Sequence, residues 1–323
     1  MVAEIPERPL IAVLSNPASG GNRKHLPAIR NILADRNHVN HREAATLSEI
    51  SAAVEELLHQ RPTYLVLNGG DGTIQAVLTK LLTQKIDHQP LLVVLKAGTT
   101  SMTAGDIGLR GPAPHALKNF LSRVATNIKP PVKARLVLRI DTDDGPPLSG
   151  MFFGAGCIPQ GIRYFHEKVN RPGLRGELGP ALVVARFLWN LVSRQQQVCR
   201  PPTLAGSLDG QPLAVQPYLL LMATTMKRLF FGWHPFWNGG NQPIHFSAVR
   251  ERPRHFFRLL PSLVRGRTHR LATPANGYFS RNVAEVTITN LDQFTLDGQL
   301  YEPSKPTSRV TVSSDGPVFF VRI

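Results

Sequence analysis

Apolar residues recur along the first third of the chain in two alternating rhythms. Short unbroken runs at residues 10–15, 63–67 and 91–95 are separated by stretches where apolar side chains return every three or four positions. A helix over 22–36 places Leu26, Ile29, Ile32 and Leu33 on one face, and one over 46–59 does the same with Leu47, Ile50, Val54, Leu57 and Leu58. Residues 73–82 read as a third helix. Fully apolar strands alternating with amphipathic helices predict an α/β domain over residues 1–130, with a parallel sheet covered on both faces. Ligands of such sheets bind where strands end and loops turn into helices.

From about Val132 the rhythm changes. Strand-like runs follow one another at 135–140, 203–208, 217–224, 283–289, 310–312 and 318–323, several of them bounded by Asp-Gly or Gly-Pro turn signals. This predicts a β-rich antiparallel C-terminal domain over residues 131–323. Helical insertions are expected near 179–194 and 253–265, and the last strand is a candidate to return to the first domain.

Composition supports two packed domains: of 323 residues, 42% are hydrophobic and only 18% charged. Two cysteines, Cys157 and Cys199, give no disulfide framework and no metal-ligand spacing, as expected of unpaired thiols in a reducing compartment. No signal peptide is recognisable, and the apolar stretch 181–192 is interrupted by Arg186 and Asn190 and is too short to span a bilayer. A cytoplasmic protein is the expectation. The formal net charge of +15 is uneven, about +4 over residues 1–130 and +11 over 131–323. A basic second half suggests an anionic partner surface. No nucleic-acid module or aromatic–basic motif accompanies it, so nucleic acid is not the expected partner.

Three loops carry the candidate chemistry. Ser15-Asn16-Pro17-Ala18-Ser19-Gly20-Gly21 follows the first strand, Asn68-Gly69-Gly70-Asp71-Gly72-Thr73 runs straight into a helix, and Ala97-Gly98-Thr99-Thr100-Ser101 follows the fourth strand. Glycines let backbone N–H groups approach phosphate oxygens, and a helix N-terminus adds its dipole. Thr73 and Thr99 can add hydroxyl donors. Asp71, a carboxylate in a phosphate loop, is repelled by phosphate unless a cation mediates, which makes Mg²⁺ the natural bridge and Asp71 its candidate ligand. Neither a Walker A pattern nor a dinucleotide G-x-G-x-x-G is present.

The layout N-P-A-S-G-G (Asn16–Gly21), then G-G-D-G-T (Gly69–Thr73), then Gly98-Thr99-Thr100, then a β-rich half, resembles the diacylglycerol kinase catalytic family, which is distantly related to NAD kinase. The resemblance implies an ATP-dependent lipid kinase that uses Mg²⁺ and phosphorylates the hydroxyl of a diacylglycerol-like lipid. It further implies that Asn16, Ser19, Gly20 and the stretch Gly69, Gly70, Asp71, Gly72, Thr73 to Gln75 line the nucleotide phosphates. Thr46, Gly98 and Thr99 match its flanking nucleotide contacts. A late Asp-Gly-Glu segment supplies the base in such kinases. Here it reads Asp297-Gly298-Gln299, leaving Asp297 to act as base, since an amide takes no proton at neutral pH.

The same departure frames an alternative, a catalytically impaired nucleotide- and lipid-binding pseudokinase. An NAD kinase-like enzyme ranks lower, because no Asn-Asn-acid segment follows Leu95. Residues 250–270 carry seven arginines around Phe256, Phe257, Leu259, Leu260, Leu263 and Val264, the pattern of a basic amphipathic helix at an anionic membrane surface. The aromatic run 229–237 reads either as core or as part of that surface. The combined expectation is a cytoplasmic protein peripheral at the inner membrane face, with a lipid as substrate.

Overall fold

The computed structural model describes residue 6 and residues 9–36, 38–84, 88–98, 101–143, 145–169, 200–229, 232–305 and 308–322. The chain divides into two compact units, the first comprising Met1–Val137, Lys227–Gly232 and Asp315–Ile323. The second comprises Leu138–Met226 and Trp233–Ser314.

The first unit is the expected α/β layer. Its elements run β1 (Ile11–Ser15), α1 (Asn22–Ala34), β2 (Val39–Glu43), α2 (Leu47–His59), β3 (Tyr64–Asn68), α3 (Asp71–Thr83), β4 (Leu91–Val94), α4 (Met102–Ile107) and α5 (Ala113–Ala125). The strands pair in parallel in the order β2-β1-β3-β4, with Ile11 opposite Val39 and Tyr64, and Leu65 opposite Leu92. Every residue of β1, β3 and β4 is buried, as apolar runs covered on both faces require. Ile11, Val13, Tyr64, Val66, Leu91 and Val93 pack on one face against Leu26, Ile29 and Leu33 of α1 and Leu117, Phe120 and Leu121 of α5. The polar strand β2 (Val-Asn-His-Arg-Glu), half exposed, belongs at the edge. Helix α2 starts where its sequence dictates: the Thr46 hydroxyl accepts the Glu49 amide while the Glu49 carboxylate accepts the Thr46 amide, a reciprocal capping box.

The C-terminal strand β15 (Val310–Val321) is the last element, and its residues from Asp315 onward belong to this first unit, where Phe320 pairs in parallel with Leu92 of β4. Two short runs separated by Gly316-Pro317 were expected here; they form one strand, with Gly316 at φ +105° accommodating the bend. Strand β5 (Val132–Thr142) starts in the first unit and continues in the second.

The second unit is antiparallel. Its long strand β9 (Gln211–Thr224) pairs with β7 (Phe152–Gly156), β8 (Thr203–Leu208) and β10 (Ile244–Arg250). Strand β11 (Tyr278–Val283) adds to β10, and β12 (Val286–Thr289) to β8. Strands β13 (Phe294–Leu296) and β14 (Gln299–Tyr301) form a hairpin beside β7. Alternate residues of these strands, among them Leu138, Phe153, Leu204, Leu221, Phe246, Ile288, Phe294 and Leu296, form one buried core. Strand β6 (Gly145–Gly150) pairs with β5, and helix α6 (Ile158–Val169) follows β7.

Several expectations change. The basic helix is α7 (Phe256–Leu263), shorter than 253–265 because Arg252 and His255 hold positive φ before it. Its Phe256, Leu259 and Leu263 are buried against Leu219, Trp237, Val249 and Tyr278, so most of the apolar face serves the core and not a surface. Phe236 and Trp237 of the aromatic run are buried too. No cysteine among the described residues is free, so the expectation of an unpaired thiol fails at Cys157. The helix expected at 179–194 lies outside the described residues. Among the described residues no helix is long and apolar enough to cross a membrane.

Candidate functional site

The C-terminal ends of β1, β3 and β4 bring the three glycine-containing loops together within the first unit. The Asn16 amide donates to the Asn68 carbonyl at 2.9 Å, and Gly21 to the Ala97 carbonyl at 2.9 Å. The Gly70 amide donates to the Ser19 hydroxyl at 3.0 Å. The Asn16 side chain donates to the Thr73 hydroxyl at 2.9 Å, tying the first loop to the first turn of α3. Asn16, Ser19, Gly70 and Thr73 are thus gathered as the sequence suggested.

Loop two meets loop three without a side chain between them. A Cβ on Gly98 would lie 2.8 Å from the Gly70 Cα, closer than real Cβ atoms come to backbone. Close backbone apposition at a helix N-terminus is the surface on which amides and a helix dipole can approach phosphate oxygens. A Gly98→Ala chain is therefore expected to fold with the two loops forced apart and to bind nucleotide at least tenfold more weakly, about 1.4 kcal/mol. Titration with a fluorescent nucleotide reads this directly, and unchanged affinity would show that the contact is only architectural.

Asp71 does something the sequence did not show. It is 5% exposed, and its two carboxylate oxygens accept the amides of Met102 and Thr103, each at 3.0 Å. One acid therefore stands in the first turn of α3 and caps the first turn of α4, favourable for a negative charge at both ends. That is a positioning role, which the sequence reading did not include. Among the described residues no group of three or more His, Cys, Asp or Glu side chains is placed to hold a metal. A Mg²⁺ ion shared between one carboxylate and nucleotide phosphates needs no such group, and no step is derived through one.

The remaining expected contacts divide. Gly69 is buried, and its Cβ position is filled by the Thr73 side chain at 2.6 Å. Gly20 is exposed and Gly72 half-buried at the loop surface. Gln75, 2% exposed, points inward and donates to the Thr79 hydroxyl at 3.1 Å, so it does not line the loop surface. The Thr46 hydroxyl is occupied as the cap of α2. Thr99 lies outside the described residues.

A buried polar network behind the loops escaped sequence reasoning. The Asn68 amide donates to the Ser15 hydroxyl at 3.0 Å, and His41 Nε2 lies 2.9 Å from the same oxygen. The Asn22 amide donates to both the Asn16 and the Asn68 carbonyl at 2.8 Å. Burial pushes His41 below the ordinary imidazole value, favouring the neutral ring with one donor and one acceptor. The available signal was local: each apolar strand ends on a polar residue, Ser15 and Asn68, at the edge where the loops begin.

In the second unit, Asp297-Gly298 is the two-residue turn of the β13–β14 hairpin, both residues at positive φ. Asp297 is 3% exposed; its oxygens accept the Met151 amide at 2.9 Å and the Phe152 amide at 2.8 Å, and its own amide donates to the Phe152 carbonyl. Asp209-Gly210, the turn between β8 and β9, repeats this arrangement: Asp209 accepts the consecutive amides of Ala284 and Glu285 at 2.7 and 2.9 Å. Both aspartates tie their turn to neighbouring backbone, Asp297 through two buried carboxylate oxygens and Asp209 through one, and the geometry of Asp297 is that of a strand clamp. Gln299 is exposed at the start of β14.

Residues 10–130 match the model of the diacylglycerol kinase catalytic domain. No functionally curated protein matches the chain. Among solved structures, a diacylglycerol kinase from Bacillus anthracis str. Sterne shares 12% identity at a TM-score of 0.59, over 97% of this chain and 96% of that one. A second protein of that organism, provisionally assigned as a diacylglycerol kinase, shares 14% at 0.64, over 97% of each chain. Yeast NADH kinase complexed with NADH shares 11% at 0.51, over 98% of this chain and 84% of that one. At these identities the solved structures establish a shared fold.

Proposed function

We propose that the protein, whose residues 10–130 match the diacylglycerol kinase catalytic domain model, is an ATP-dependent lipid kinase acting on the hydroxyl of a diacylglycerol-like lipid. The observation that carries this reading is the apposition of Gly70 and Gly98 at the N-terminus of α3, a backbone cradle suited to nucleotide phosphates within a domain of that family. Asp71 keeps the third loop and α4 in register with the second loop. Any divalent cation would arrive on the nucleotide's own phosphate oxygens. Transfer then depends chiefly on positioning and on charge neutralisation.

Contact with an anionic membrane face is part of the proposal. Phe257 is 46% exposed on α7, and Arg252, Arg254, Arg258 and Arg265 around it are all exposed. This is an arrangement suited to a peripheral protein at the inner membrane face.

The test is transfer of label from [γ-³²P]ATP, with Mg²⁺, into mixed micelles of diacylglycerol, monoacylglycerol, sphingosine and ceramide. One labelled lipid, with labelling reduced in the Gly98→Ala chain at limiting ATP, is the expected result. The second reading, a nucleotide- and lipid-binding pseudokinase, is favoured by one observation: the carboxylate proposed as base holds two backbone amides, with Gln299 beside it. ATP binding with no label in any lipid would move that reading first.

A further inference from the structure

The first unit holds a second concentration of charge, away from the glycine loops in sequence. Strand β5 opens with Lys133 and Arg135, two residues apart and so on one face of the strand. The chain's last residues lie alongside: the Arg322 amide donates to the Pro131 carbonyl at 2.9 Å, and a Cβ on Gly316 would stand 3.5 Å from the Arg135 carbonyl. Lys227, from the segment Lys227–Gly232 that joins this unit, is exposed, as is Arg322.

The acid among these cations is Asp106 of α4, whose carboxylate lies 3.2 Å from the Arg135 guanidinium. The pair is largely withdrawn from solvent, with side chains 11% and 4% exposed. Burial first, then Arg135, Arg322 and Lys227, push the Lys133 ammonium below its ordinary value. The single carboxylate raises it, and that effect is the smallest. Arg135 Nε is buried without a hydrogen-bond partner among the described residues. Among the described residues, Lys133 thus feels three cations against one carboxylate, which is itself paired with Arg135, a surplus of positive charge that an anion would offset.

The position indicates which anion. Asp106 stands three residues beyond Thr103, whose amide is held by Asp71 of the second loop. One turn of α4, roughly 5 Å, thus leads from the glycine-loop edge to the carboxylate of the basic cluster. The G-G-D-G-T loop brings no lysine of its own, unlike a Walker A loop.

We propose that Lys133, Arg135, Lys227 and Arg322 form a phosphate-binding cradle beside the glycine loops, supplying the positive charge those loops lack. The ligand chemistry is a multiply charged phosphate. Its source, on the kinase reading on which this inference rests, is either the nucleotide's terminal phosphates or the phosphate of a phosphorylated lipid. Lys133 and Lys227 are the residues to alter, since Arg135 also braces α4 through Asp106.

Calorimetric titration of the full chain with tripolyphosphate, ATP and AMP, and sedimentation with vesicles of phosphatidate or of phosphatidylcholine, separate the sources. In a Lys133→Gln/Lys227→Gln chain, binding of tripolyphosphate and ATP should weaken about tenfold, while AMP is unaffected, as expected for lost charge-assisted hydrogen bonds. Lys133→Arg should retain binding. Lys118→Gln, which removes one exposed charge from α5, should leave it unchanged. A loss confined to phosphatidate vesicles assigns the cradle to lipid phosphate. If no phosphate ligand weakens, or Lys118→Gln weakens all of them equally, the cradle is overturned. A wild-type chain that binds tripolyphosphate through these lysines but not ATP keeps the cradle and removes the kinase reading. ATP binding, lipid labelling and phosphatidate binding that all survive in the double variant do the reverse.

Discussion

An Asp297→Ala chain is expected to lose about 3 kcal/mol of stability in urea denaturation, because two buried backbone donors, at Met151 and Phe152, lose their acceptors together. The turn would also lose its aspartate at a position of φ +50°, where alanine is strained. Asp297→Asn should recover little: its one carbonyl can accept one amide, while its NH₂ would confront the other. Asp209→Ala is the internal comparison. It removes the one oxygen, Oδ1, that accepts both amides, and these are exposed so that water can satisfy them; a loss of about 1 kcal/mol is expected there. A general base behaves differently. If Asp297→Ala kept full stability while lipid phosphorylation collapsed, the clamp would be incidental and the carboxylate catalytic.

Replacing Asp71 should have the largest effect on turnover. Without its carboxylate, the Met102 and Thr103 amides lose their partner, and the third loop loses its tie to the second. Displacing groups that position a phosphate by even an ångström costs on the order of a hundredfold in rate, and at least that loss in kcat/KM is expected for Asp71→Ala. Asp71→Asn keeps one acceptor and should fall between. Raising Mg²⁺ distinguishes the two roles available to this residue. A positioning residue leaves the defect insensitive to Mg²⁺ concentration, whereas a metal ligand gives one that excess Mg²⁺ partly repairs. Repair by Mg²⁺ would return Asp71 to the bridging role.

The comparison between the two Asp-Gly pairs shows where sequence stops. Both could be identified as hairpin turns from the dipeptide alone, because positive φ at two successive residues is a local requirement. Whether the carboxylate then reaches solvent, a substrate or a neighbouring strand depends on which strand lies beside the turn, a long-range fact. The α/β unit was legible for a related reason: Ile11 to Ser15 and Tyr64 to Asn68 carry their burial in their own composition, and Leu26, Ile29 and Leu33 carry their helical face in their spacing. Strand β10 was not recognised, since Ile-His-Phe-Ser-Ala-Val-Arg places Ser247 in the core, where its hydroxyl donates to the Pro235 carbonyl and lies 3.0 Å from the Ser280 hydroxyl. The loop motifs located the candidate site, but the inward turn of Gln75 and the double cap by Asp71 depend on partners in α3 and α4. The cationic cluster joins residues from three distant parts of the chain, and no window of sequence contains it.

The parallel sheet of the first unit is not finished by the residues that begin it. Leu92 of β4 finds its partner in Phe320. During synthesis on the ribosome, that side of the sheet would wait until the whole antiparallel unit had been made. Closing so long a loop is slow and leaves an unpaired strand edge exposed meanwhile. The α/β unit should therefore be the last part of the protein to become protease-resistant, although most of it is translated first.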